Sequence, residues 1–129
     1  MKAVNFKKEV SGTLDEVIAR VTVALKDEGF GILTRIDFHD KIREKIGKTV
    51  DPTVILGACN PNLAYEAFQM NHDVTSVLPC NAVVRQVAPG RCSVELARPT
   101  AMMEILGDSK MLELARSADT LIERSLGRV

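Results

Sequence analysis

The sequence predicts an α+β fold in two layers, a mostly antiparallel sheet with helices packed on one face. Three observations carry this expectation. Residues 3–36 read as strand, capped helix and strand; Ala88-Pro89-Gly90 marks a hairpin between two strand-like runs; and the chain closes on a long amphipathic helix. An opening β-α-β unit lets its helix lie on the same side of the sheet as the closing helix. The expected order is β-α-β4-α, with short helical insertions between strands.

Each element has a local cause. Residues 3–10 alternate, with Val4, Phe6 and Val10 on one side and Asn5, Lys7 and Glu9 on the other, the pattern of a half-buried strand. Thr13-Leu14-Asp15-Glu16 is a capping box that opens a helix. That helix carries Leu14, Val17, Ile18, Val21 and Leu25 as one apolar stripe, and Gly29 ends it in a left-handed cap. A strand follows from Phe30, with Phe30, Ile32, Thr34 and Ile36 on one face and the Arg35–Asp37 pair on the other. Asp37 then caps a short charged helix over 38–46, closed by Gly47.

Residues 54–58 are apolar on both faces, the mark of an interior strand. Asn60 is a strong N-cap and Pro61 suits the first helical position, so a helix covers 61–70. Beyond a loop through His72, residues 81–87 and 91–97 form the hairpin. A Met-rich turn at 100–106 precedes the last helix, 108–126, whose inward residues are Met111, Ala115, Ala118 and Ile122.

Composition narrows the function classes. No repeat, low-complexity tract or linker divides residues 1–129, so one domain is expected. Seventeen basic side chains balance seventeen acidic ones, and aromatics make up 4%; this lacks the basic stripe and stacking platforms of nucleic-acid binding. No apolar run approaches the roughly 18–20 residues that cross a bilayer, so no membrane partner is expected. Charges close to Met1 interrupt any secretion-signal core, and three cysteines are an odd count. Both point to a cytoplasmic setting with reduced thiols.

Two near-mirrored pieces stand out, Cys59-Asn60-Pro61 and Pro79-Cys80-Asn81. Cys59 lies just before a helix N-terminus, where free amides favour a thiolate. Cys80 follows a proline at the entrance to a strand. Taken singly, each is also a small hydrophobe suited to packing. Taken together, they form a disulfide, a ligand pair or a polar pocket if the fold joins them. Zinc would need further ligands, with only His72, Asp73 and His39 at hand, so no metal is expected. Cys92 is in phase with Val94 and Leu96 and reads as core, while Met102, Met103 and Met111 read as core, dimer contact or the lip of a ligand cavity.

Three segments carry a family likeness: Asp27-Glu28-Gly29-Phe30-Gly31-Ile32-Leu33-Thr34-Arg35-Ile36-Asp37, then Ile55-Leu56-Gly57-Ala58-Cys59-Asn60-Pro61-Asn62-Leu63-Ala64, then Leu78-Pro79-Cys80-Asn81-Ala82-Val83-Val84. In that order and spacing the chain resembles the prokaryotic family catalogued as domain of unknown function 302. The tail Arg98-Pro99-Thr100-Ala101-Met102-Met103 is similar to that family's C-terminal segment. The resemblance implies a TATA-binding-protein-like β-α-β4-α layout and carries no catalytic role.

The functional expectation is a cytoplasmic binding or interaction module, a homodimer, with its site at Cys59, Asn60, Cys80 and Asn81 and the N-terminus of the helix from Pro61. That helix end suits an anion, and a sheet crossed by a long helix can enclose a small molecule. No cofactor is expected. No catalytic triad, carboxylate pair, phosphate loop or dinucleotide fingerprint is present, so the reading leans away from an enzyme. The competing expectation is a thiol-dependent redox enzyme or sensor, with Cys59 attacking and Cys80 resolving.

Overall fold

The computed structural model describes residues 3–129. Its elements run β1 (Asn5–Ser11), α1 (Leu14–Asp27), β2 (Gly31–Asp37), α2 (Phe38–Ile46), β3 (Thr53–Cys59) and α3 (Pro61–Met70). A 3-10 segment (His72–Val77), β4 (Cys80–Ala88), β5 (Arg91–Ala97), α4 (Pro99–Glu104) and α5 (Ser109–Gly127) complete it. The strands form one open antiparallel sheet in the order β1-β5-β4-β3-β2. The first two strands therefore lie on opposite edges, and α1 spans the sheet between them. This is the expected two-layer α+β architecture.

The helices lie where the sequence signals them, but Asp37 does not cap α2 with its side chain; its carboxylate is engaged by Arg35 instead. Thr13 accepts the Glu16 N–H, and Glu16 accepts the Thr13 N–H, each at 3.2 Å, which closes the capping box. At the other end of α1 the Gly29 N–H donates to the Lys26 carbonyl and the Phe30 N–H to the Leu25 carbonyl, both at 2.9 Å. That is a Schellman turn, and Gly29 takes its required positive φ of 86°. The turn delivers Phe30, 3% exposed, directly into the interior.

Two clusters make the core. The larger joins Val17, Val21 and Leu25 of α1 and Ile122 of α5 to Val54, Leu56, Val84, Val94 and Leu96 of the sheet. The smaller gathers Ala67, Val74, Met103, Met111 and Ala115 from α3, the 3-10 segment, α4 and α5. Glu28, at the end of α1, receives Arg124 at 3.2 Å and Arg128 at 2.9 Å, which ties α1 to the last turn of α5.

One expectation about β2 fails. Ile32 opposes Ala58, but Thr34 opposes Gly57, so Leu33 is an extra residue in the strand. A one-residue bulge turns every later side chain to the other face. Thr34 and Ile36 thus lie away from the core, and Arg35 and Asp37, paired at 3.0 Å, fall on the side of Ile32.

Gly57 has a different role from Gly29. A Cβ there would strike Thr34 Oγ1 and come within 2.7 Å of the Pro79 ring. The bare backbone lets Pro79 lie against β3, next to a register that sets Cys80 opposite Ala58.

Candidate functional site

The two cysteine motifs meet. Cys59 ends β3, Cys80 begins β4 opposite Ala58, and both line one cavity at the seam between the two core clusters. Phe30, Ala58 and Ala118 come to it from the larger cluster; Ala67, Met103 and Met111 come from the smaller. Its volume is about 50 Å³, room for more than one water, each of which needs about 10–15 Å³. The space exists because small side chains face it. Ala64 and Ala67 on α3, and Ala115 and Ala118 on α5, recur at i and i+3 and leave room that larger residues would fill.

Among the described residues, the lining offers one polar side chain besides the two thiols, Asn60. Its Oδ1 accepts the Leu63 N–H at 3.2 Å, and its carbonyl accepts the Ala64 N–H at 2.9 Å. Pro61 has no N–H, so of the first α3 amides only that of Asn62 is left over. The cap that makes the helix thereby consumes the donors an anion would need. A Cβ on Gly29 would lie 3.0 Å from Asn60 Nδ2, so the end of α1 also holds this side chain in place.

Both thiols are free and both are harder to ionise than an ordinary cysteine. Burial pushes Cys59 up. Cys80 rises to about 11, first through burial, then through the charges of Cys59 and Asp119. The expected lowering of Cys59 by the helix end is not what this environment produces: apolar walls and occupied amides favour the thiol.

Asn81 separates from the other three candidates. It pairs with Gly57 across β3 and β4 and is exposed, on the pleat face opposite that of Cys80. His72 stacks on Phe68 at 4.4 Å, and His39 Nδ1 accepts the Thr53 N–H at 3.0 Å, so neither histidine lines the cavity. Cys92 sits in the larger cluster, its thiol 3.6 Å from the Gly12 carbonyl. Among the described residues no three or more His, Cys, Asp and Glu side chains converge as a metal group. None of the described helices is long and apolar enough to cross a membrane.

The residue that sequence reasoning missed is Asp119. Its Oδ1 accepts the Thr100 N–H at 3.0 Å and its Oδ2 the Thr100 hydroxyl at 2.7 Å. Since Arg98 makes no side-chain cap, α5 supplies the cap that holds α4, and α4 carries Pro99 and Met103 of the lining. Its polar position on an amphipathic helix gives no local sign of this.

A crystal structure of an uncharacterized conserved protein DUF302 from Bacillus stearothermophilus superposes on the chain with a TM-score of 0.90. The two share 31% sequence identity over 98% of each chain. No curated protein matches it significantly. The model of the domain of unknown function DUF302 matches residues 6–129, nearly the whole chain and both cysteine motifs, and the chain belongs to that family.

Proposed function

We propose that this protein is a binding module whose ligand enters the cavity between the cysteine motifs. The observation that supports this reading is the meeting of Cys59, Asn60 and Cys80 on one apolar space at the seam of two core clusters. Packed interiors rarely leave a gap where motifs from different strands converge. The walls select a slender, mainly apolar ligand rather than an anion, because the helix amides are already engaged. The thiol-redox alternative is weaker, since burial holds both cysteines protonated at neutral pH.

Linear alcohols from ethanol to hexanol test this, with the Met103 and Met111 ε-methyl NMR signals as reporters. Saturable shifts at these two methyls, lost when Ala64→Leu plugs the cavity, are the expected result. Shifts that never saturate, or that persist in Ala64→Leu, would refute the reading.

A second observation favours a homodimer. The sheet face away from the core carries one cross-strand row, Ile36, Ile55, Val83, Glu95 and Lys7. None of its apolar members belongs to either core cluster. Its apolar end, Ile36, Ile55 and Val83, is a surface that a second copy can cover about a two-fold axis. Ile36→Lys, at an edge-strand position 45% exposed, is expected to shift a dimer to monomer in light scattering. A wild-type monomer at all concentrations would dismiss the idea.

A further inference from the structure

We propose that the cavity is a binding site for a soft monovalent d10 cation of the copper(I) class, held by the sulfurs of Cys59, Cys80, Met103 and Met111. This rests on the reading of the cavity as a ligand site and adds a second class of occupant, held by the sulfurs rather than by the apolar walls. The chain has three cysteines and five methionines. Two of each line this one space, brought there by four separate elements: the end of β3, the start of β4, α4 and α5.

The donor set decides the class of ion. Thiolate and thioether are soft ligands that select copper(I), whereas calcium and magnesium demand several oxygens. Among the described residues no carboxylate or imidazole side chain lines the cavity, and the side-chain amide oxygen of Asn60 is engaged as a helix cap. Zinc prefers four anionic or imidazole ligands in a tetrahedron, and here there are two thiols. A monovalent d10 ion accepts two or three sulfurs, so two cysteines with one or both thioethers complete its shell. The unbranched methionine side chain adapts to such a role more readily than a branched one.

Size and access agree with this. A space of about 50 Å³ accommodates an ion of this size, and its apolar walls offer little to a hydration shell, so the sulfurs take the place of water around the ion. Cys59 is half-buried and offers the first sulfur; Cys80, deeper, offers the second. Both are free, so no disulfide competes. Each thiol that binds releases its proton to solvent, and the ion stays in the +1 state throughout.

The test uses the reduced full chain without oxygen, titrated with copper(I) against bicinchoninate, and with silver(I) as a redox-inert probe in native mass spectrometry. One equivalent is expected, with both the Met103 and Met111 ε-methyl signals shifted. Cys59→Ser should weaken binding about 100-fold, and Met103→Leu about tenfold with the melting temperature unchanged; Cys92→Ser should leave binding intact. Because Cys80→Ser risks unfolding, Cys59→Ser and Met103→Leu carry the decision. Absence of a one-to-one complex overturns the proposal, as does equal affinity in Cys59→Ser or unmoved methionine methyls. If the alcohols still saturate the methionine signals while copper(I) does not bind, the cation falls and the cavity reading stands. If neither binds, both fall.

Discussion

Raising the pH above 9 is expected to destabilise the protein through Cys80. In the folded chain burial, Cys59 and Asp119 raise this thiol from 9.0 to about 11. Between those values the unfolded chain has lost the proton that the folded chain retains. Stability therefore falls with rising pH across this window, and below pH 9 the group has no effect. A shift of two units corresponds to roughly 2.7 kcal/mol at full titration, of which about 2 kcal/mol is lost by pH 11. Urea unfolding under reducing conditions at pH 8, 9, 10 and 11 measures it. Because Cys80 is not alone in contributing to the pH dependence, the comparison is with Cys80→Ala, whose profile should be flatter by that amount. Parallel profiles for the two proteins would show that Cys80 is not held protonated by the fold.

Why Cys80 behaves so was only half legible in the sequence. The capping box at Thr13, the Gly29 cap, Pro61 at the start of α3 and the hairpin at Pro89-Gly90 are all local chemistry, and local chemistry is written in consecutive residues. The bulge at Leu33 is not. Nothing in Gly31-Ile32-Leu33-Thr34 shows that one residue is surplus, because the surplus is defined by pairing with Gly57 and Ala58. The same holds for Asn81, whose motif neighbour Cys80 faces the core while it does not: adjacent strand residues point to opposite faces.

The thiols illustrate a second limit. A helix N-terminus in the sequence suggests donors for an anion, but Asn60 satisfies Leu63 with its side chain and Ala64 with its carbonyl. A strong cap is therefore a poor anion site, since the residue that marks the helix start also occupies its amides. What remains around Cys59 is apolar, and desolvation sets its pKa. The methionines were visible as a cluster, yet only the fold separates Met103 and Met111, which line the cavity, from Met102, which packs behind.

Removing the Asp119 carboxylate should be the most damaging single polar change, with Asp119→Ala costing about 2–4 kcal/mol. Thr100 is 7% exposed and both its N–H and its hydroxyl end on this one carboxylate. With alanine both donors lose their partner, and each unsatisfied buried group costs about 1–3 kcal/mol. The amide belongs to the first turn of α4, which has no cap of its own from Arg98. Asp119→Asn retains one carbonyl oxygen and should recover roughly half of the loss, by the same reckoning of one hydrogen bond kept from two. Urea denaturation reads these differences, and a loss below about 0.5 kcal/mol in Asp119→Ala would show that water replaces the carboxylate freely. The asparagine variant has a second readout that separates charge from packing. Asp119 is one of the charges that raise Cys80, so its neutralisation should lower the Cys80 pKa, seen as an earlier rise in thiolate absorbance on alkaline titration. A cap that is merely structural would leave that titration where it was. Because α4 carries Met103 into the cavity, the alanine variant should also disperse the Met103 methyl signal, which connects the stability of this short helix to the shape of the site.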